Sequence, residues 1–419
     1  MTTDVGKELI SLAPGPNNRL PQPETAPMQL ATQTRASNHP WRRALLWGVG
    51  LTLIARLFAA GFGLLLWQAE EVPLGPEQED QLYLGSEPIV GPVSGWTLGV
   101  WQRHDTMHYI EIAQDGYEVN KHNIVFPPLY PMMIRAGTAV GFDPLVTSLL
   151  IATVATALAL AVLYRMTEDI LGTIGAQHTV IYQMVIPFGY ILIAGYAEPL
   201  MLLLTVLALY LARRDHWVLA GLSAFLATMT RSHAAALALP LLAIAWQRFD
   251  HRPWRSPAAW WAVAAGPLAL VAYQAYLVSS GLPTVYEVYR DRWRSVGAIP
   301  GYDAWLSVRA LVTEGLPAAR LLALVALVVV VTLTVVAFRK LPVEFGLYSL
   351  AMLLVVLSRH DQAGRPLLSF ARQAIVIFPS WMALAAWVKS RPVHLAITYG
   401  ALLVNLLLMS VFFMWGFAE

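Results

Sequence analysis

Between Arg320 and Arg339 the chain carries no charged residue, and apolar runs of this kind recur along most of its length. A run near 20 residues of this character is long enough to cross a bilayer as a helix. Candidate spans fall at 44–67, 143–165, 176–195, 197–212, 217–230, 233–247, 257–279, 320–338, 342–358, 373–388 and 393–416. They are built on Leu, Ala and Val rather than on alternating ten-residue segments, which sets aside a membrane β-barrel. Charged residues make up 13% of the chain, about half the ~25% usual in a soluble domain. The sequence therefore reads as an all-α polytopic membrane protein with about 11 transmembrane helices.

Net charge is +2 and no basic tract exists, so nucleic acid is not an expected partner. With no cysteine, disulfides, thiol nucleophiles and thiolate metal sites are all excluded. Residues 1–40 are rich in Pro, Gln, Thr and Asn and read as a disordered cytoplasmic tail. Residues 41–419 then form one transmembrane domain. Its two long extracytoplasmic loops are 68–142 and 280–319.

Sidedness follows from the basic residues. Arg42/Arg43, Arg165, Arg213/Arg214, the stretch from Arg248 to Arg255, Arg339/Lys340 and Lys389/Arg391 fall on alternate connections. The positive-inside rule makes that side cytoplasmic. The opposite side then collects Asp105, Tyr196-Ala197-Glu198-Pro199, Arg231, the loop 280–319, and the segments Ser358-Arg359-His360-Asp361 and Phe370-Ala371-Arg372-Gln373. These polar groups were not used to draw the topology, yet they share one face, as an extracytoplasmic active site requires. A transporter or flippase is the alternative, but it would keep its polar residues near the midplane, often in repeated halves. No internal repeat is visible.

Asp105 is the candidate base. It lies in Trp101-Gln102-Arg103-His104-Asp105-Thr106-Met107-His108-Tyr109, and residues 101–115 are expected to form an interfacial helix. On that helix Trp101, Asp105, His108 and Ile112 share a face, with Trp101 and Ile112 as interfacial anchors. The plainer reading of Asp105 is a helix N-cap. Arg231 sits at the tip of a short hairpin, 217–230 and 233–247. Each arm is about 14 residues, roughly 21 Å, so the tip could remain inside a protein-lined cavity. Arginine in such a place suits phosphate; snorkelling to the headgroups is the alternative, above all for Arg372. Arg56, midway along the first span, is expected to pair with a carboxylate. Glu198 suits a cation or a sugar hydroxyl, or else caps the helix begun at Pro199. The loop from Tyr286 to Arg294 interleaves aromatics with charges, as sugar stacking or an amphipathic interfacial helix would. His104, Asp105 and His108 form a weak metal signature.

In order along the chain, these motifs resemble those of the PIG-V family, which belongs to the GT-C superfamily of membrane glycosyltransferases. His104-Asp105-Thr106-Met107-His108-Tyr109, with Ile112-Ala113 and Gly116-Tyr117, is similar to its Trp-Asp-x-x-His-Tyr/Phe signature. Phe126-Pro127-Pro128-Leu129-Tyr130-Pro131 resembles its Phe-Phe-Pro-Leu-Tyr-Pro. Tyr196-Ala197-Glu198-Pro199 resembles its Tyr-Ser-Glu-Ser, and Thr230-Arg231-Ser232 its Thr-Arg-Ser. Arg372-Gln373 and Phe378-Pro379 stand where the family has Arg-Tyr and Phe-Pro. The likeness runs from about 44 to 390. His104 replaces a Trp and Gln373 a Tyr. Thr106 stands where the protein O-mannosyltransferase branch has Glu, and so argues against that branch.

The resemblance implies a GT-C bundle. It implies transfer of mannose from a polyprenyl (dolichyl) phosphate to a hydroxyl of a glycolipid such as a GPI precursor, with inversion, on the extracytoplasmic face. Asp105 would be the catalytic base. Arg231, Arg372 and His233 would hold the donor phosphate, and His104, His108, Tyr109, Tyr196 and Glu198 would bind substrate. No cofactor is expected, and a divalent metal is left open. The expected location is a prokaryotic plasma membrane, or the endoplasmic reticulum in a eukaryote.

Overall fold

The computed structural model describes residues 40–67, 82–313, 318–367 and 369–416. The tail expected at 1–40 lies outside them except for Pro40, which begins a helix. The chain is helical almost throughout. Helices used below are α1 (Pro40–Trp67), α2 (Asp105–Asp115), α3 (Leu129–Ala139), α4 (Pro144–Val185), α5 (Glu198–Ala212), α6 (Trp217–Thr230), α7 (Ala238–Arg248), α8 (Pro257–Ser279), α9 (Val285–Asp291), α10 (Tyr302–Thr313), α11 (Ala318–Lys340), α12 (Val343–Leu357), α13 (Pro379–Trp387) and α14 (Arg391–Phe413).

Among the described residues five helices are long and apolar enough to cross a membrane: Pro40–Leu66, Pro144–Val185, Pro257–Ser279, Arg320–Lys340 and Arg391–Phe413. Three shorter apolar helices, α5, α6 and α12, accompany them. The protein is thus an all-α polytopic membrane protein. On α1, Leu46, Ile54, Leu57 and Leu65 are more than 60% exposed, an outward stripe that only a bilayer would cover.

Helix starts follow local chemistry. Asp143 accepts from Val146 N at 3.0 Å ahead of Pro144, and Ser256 accepts from Ala259 N at 3.2 Å ahead of Pro257. Each pairs an N-cap oxygen with a proline whose missing N–H costs nothing there.

The spans expected at 143–165 and 176–195 are two helical stretches, but the second ends at Val185 rather than at 195. They meet at a kink where Gly172 takes the non-helical φ +75° and ψ 179°, and 189–193 is a separate 3₁₀ turn. The charges just before the kink satisfy one another. Arg165 pairs with Glu168 and, at 2.8 Å, with Asp169; Arg43 and Arg214 join the same acids. Arg213 pairs with Glu344 nearby in sequence to that network. Glu198 and Arg213 flank the two ends of α5, about 21 Å apart at 1.5 Å per residue, so this network and the polar face around Glu198 lie at opposite ends of that helix.

Two further expectations fail locally. Trp101 is not on the helix of Asp105. A 3₁₀ turn covers Gly99–Trp101, and His104 takes φ +48°, so α2 begins only at Asp105. Trp101 and Ile112 are buried at 3% and 5% exposure rather than facing headgroups; Trp101 packs edge-on against Phe413. Arg56 meets no carboxylate among the described residues. Its guanidinium donates to Thr153 Oγ1 and Leu149 O at 2.8 Å and lies over Trp101.

The polar loops are tied down rather than trailing. Buried Arg103 donates to Phe413 O at the end of α14 at 3.0 and 3.1 Å and lies over Trp415. Two short antiparallel strands, β1 (Ser295–Gly297) and β2 (Arg359–Asp361), join the loops before α10 and after α12.

Candidate active site

Asp105 opens α2 but does not cap it. The N-cap is His104, and no side chain satisfies the first turn. The Oδ2 atom of Asp105 instead accepts from Arg231 Nη2 at 3.0 Å and from Arg372 Nη1 at 3.1 Å. Its Oδ1 takes no hydrogen bond from a described residue. Burial by itself would raise the carboxyl's pKa, but Arg372, Arg231 and His108 outweigh it and hold the group at about 2.

Glu198 is the second carboxylate, with its side chain 3% exposed. It caps nothing either, since Ala197 is the N-cap of α5. Its Oε1 accepts from Arg231 Nη2 at 2.6 Å and lies 3.9 Å from Arg372 Nε. One guanidinium nitrogen of Arg231 therefore bridges both acids. Arg231 is placed by the end of α6 and the 3₁₀ turn Ser232–Leu237, and its side chain is 14% exposed. Its position is inside the fold, as the short hairpin allowed. The second arm of that hairpin is shorter than expected, because helix α7 starts only at Ala238.

These groups line a cavity of about 360 Å³. Asp105, Glu198, Arg231, His233 and Arg372 all border it, together with Tyr289, Trp293, Arg359 and Gln373. Three arginines face two carboxylates there, a formal surplus of one positive charge. A site of that balance suits a singly charged anion such as a phosphodiester. Among the described residues Arg359 has no carboxylate partner; it lies over the Tyr289 ring at 4.7 Å. His233 presents a buried Nε2 with no hydrogen-bond partner.

The other sequence-chosen residues form the wall behind these. Tyr109 is fully buried, edge-on to Phe126 and Tyr130, with Arg231 over its face at 5.8 Å. Tyr196 is buried beneath Arg372 at 5.7 Å. His108 Nδ1 meets Asn123 Oδ1 at 2.8 Å and stacks on Phe126, while His104 packs against Phe412 and Trp415. None of these four borders the cavity among the described residues. Burial pushes the His104 pKa down to about 4, with Asp105 opposing it and Arg372 and Arg103 adding to it. Among the described residues no three His, Cys, Asp or Glu side chains gather into a metal-sized cluster.

Tyr289, Trp293 and Arg359 are cavity residues that single-residue reasoning passed over. Their signal was the alternation of aromatics and charges in 286–294 and the polar run at 358–361, but only the pairing of β1 with β2 brings the two loops together.

Residues 125–276 match the family described as dolichyl-phosphate-mannose-protein mannosyltransferase. The matched stretch contains Phe126, Glu198, Arg231 and His233 but neither Asp105 nor Arg372. The branch that Thr106 argued against is the one this description names, and Thr106 lies outside the match. The crystal structure of ArnT from Cupriavidus metallidurans bound to undecaprenyl phosphate is similar over 90% of this chain and 77% of that one, at 13% identity and a TM-score of 0.48. No curated protein matches the chain.

The family match thus covers part of the cavity lining, from Val125 to Leu270, and leaves the rest of that lining outside it.

Proposed function

We propose that this enzyme transfers mannose from a polyprenyl phosphate to a hydroxyl of a glycolipid acceptor, with inversion, on the extracytoplasmic face, as a PIG-V-type mannosyltransferase. The observation that carries the reading is the cavity in which Asp105 is held by two arginines through one oxygen.

The donor phosphate enters as an anion and takes N–H groups of Arg231 and Arg372, with Arg359 supplying the surplus charge. Asp105 then loses part of the cationic field that holds it at about 2, and its basicity rises. The acceptor oxygen attacks the anomeric carbon as its proton passes to Asp105. The bond from that carbon to the phosphate oxygen breaks, and the leaving phosphate keeps the electron pair. Its gain in negative charge is met by the arginines already in place. Glu198, bonded to Arg231, fixes the guanidinium plane. The two bound substrates supply much of the remaining rate through proximity.

The test is transfer of radiolabelled mannose from polyprenyl-phosphate mannose to a mixed glycolipid pool by the purified protein, beside Asp105→Asn. Labelled glycolipid falling by about 10²–10⁴-fold in the variant, with donor still bound, is the expected result. A variant that transfers at the wild-type rate removes Asp105 as base. A wild-type protein that binds no donor removes the transferase reading.

A further inference from the structure

Beside the main cavity lies a side chamber of about 40 Å³ that the transfer step described above does not use. Trp293, Val356, Arg359 and Gln373 line both spaces, so the two share a wall. A volume of 40 Å³ exceeds one water's share of liquid, about 30 Å³, only slightly. It admits the edge of a ring with one or two hydroxyls, not a whole sugar.

The chamber's acids are accounted for except at one atom. Asp303 uses both oxygens, Oδ1 toward His360 Nδ1 at 2.6 Å and Oδ2 for Asp361 N at 3.2 Å. Asp361 lies on β2, is 6% exposed, and spends Oδ2 on Arg365 N at 2.9 Å and Arg365 Nε at 3.1 Å. Its Oδ1 is buried with no partner. A buried carboxylate oxygen left without a donor is costly, so its retention points to a donor that arrives with a ligand. Arg359 and Arg365 flank the site, which disfavours a metal cation and leaves a neutral hydroxyl as the fitting donor. Trp293 adds a flat apolar face suited to pyranose C–H groups, and the Gln373 amide can both donate and accept. Gln373 follows Arg372 directly in the chain, which sets the chamber next to the phosphate site.

We propose that Asp361, with Trp293 and Gln373, forms a subsite that reads the hydroxyls of a substrate pyranose. The proposal rests on the transferase reading above. The pyranose belongs either to the donor or to the acceptor glycan, and the chemistry at Asp361 is the same for both.

The experiment measures binding of undecaprenyl phosphate and of undecaprenyl-phosphate mannose to the full-length protein in nanodiscs, and the KM for the glycolipid pool. Wild type is compared with Asp361→Asn and Trp293→Leu. The expected result is unchanged binding of the bare phosphate and at least tenfold weaker binding of the mannose-bearing lipid in both variants. An unchanged donor Kd with acceptor KM raised at least tenfold also supports the subsite and assigns it to the acceptor glycan. If Asp361→Asn does not fold, because Arg365 loses its partner, Trp293→Leu carries the same comparison. Bare and sugar-bearing lipids bound as in wild type, with acceptor KM unmoved, overturn the subsite while leaving the transferase reading standing. Wild-type protein that binds neither lipid overturns both.

Discussion

Arg231 Nη2 lies 3.0 Å from Asp105 Oδ2, joining residues 126 positions apart in the chain, and the same nitrogen lies 2.6 Å from Glu198 Oε1. A single guanidinium thus links the ends of three elements, α2, α5 and α6. Lysine at position 231 would keep the charge but lose the planar fork. We expect Arg231→Lys to weaken binding of polyprenyl-phosphate mannose by about 10–100-fold, the value of one or two charge-assisted hydrogen bonds. An unchanged donor affinity in a binding titration would show that Arg231 serves only to join the helices.

Asp105 carries a pH signature. Its pKa is lowered from 3.8 to about 2, with Arg372 the largest of the groups opposing the effect of burial. A depressed carboxyl contributes stability that is present above the unfolded value and is lost as pH falls through the folded one. For catalysis, the same shift keeps Asp105 ionised in the free enzyme down to about pH 3. Arg372→Gln removes the leading cation and moves the carboxyl upward. The acid limb of kcat/KM, read from pH 3 to 7, is expected to shift to higher pH in that variant. A limb that stays where wild type has it would remove Arg372 as the group that holds Asp105 low.

Gly195 decides how closely the two acids approach. A Cβ added there would meet Ser148 Oγ at 2.6 Å and Thr106 Cγ2 at 2.7 Å. Thr106 follows Asp105, and Gly195 precedes the turn into Glu198. Gly195→Ala is therefore expected to push α2 away from α5. The measured consequence is a loss in kcat of about 10–100-fold, as expected for a displacement near 1 Å in a positioned site. Wild-type kcat in a folded Gly195→Ala protein would mean that the site tolerates the shift.

Much of this architecture is legible in the sequence because apolar runs and their caps are local. The span read at 257–279 coincides with α8, where Ser256 and Pro257 mark the start. The segment 217–230 coincides with α6, and the polar tip that follows it does enter a cavity. The misreadings share one cause, that a residue's partner can lie far away in sequence. Arg56 looks like a partner for a carboxylate until Thr153 and Leu149, far along the chain, take its guanidinium. Trp101 falls in helical register with Asp105 only if His104 is helical, and its φ of +48° comes from packing that spacing does not encode. Asp105, Glu198, Arg231 and Arg372 could be chosen one by one for their chemistry. Their joining through Asp105 Oδ2 and Glu198 Oε1 is a tertiary fact. The cavity's aromatic side, Tyr289 and Trp293, likewise depends on two loops meeting through strands only three residues long.

The scaffold beneath the site rests on a close crossing that two glycines of one helix can test against each other. A Cβ on Gly48 would come within 2.3 Å of Ala157 O and 2.9 Å of Ala161 N, so α1 and α4 touch there backbone to backbone. Gly50 would have nothing within 4 Å. Association of helices in a bilayer gains little from hydrophobic transfer and depends on such small-residue contacts. Gly48→Val must force the helices apart, and with them Arg56 from its bonds to Thr153 and Leu149. Overpacking of this kind costs about 1–3 kcal/mol. Gly50→Val adds the same side chain to the same helix without meeting α4. Thermal unfolding in one detergent is expected to show a lowered Tm for Gly48→Val and a Tm near wild type for Gly50→Val. Equal losses in the two variants would attribute the effect to valine in a helix. Equal stability would mean that the crossing at Gly48 does not hold α1 on the bundle.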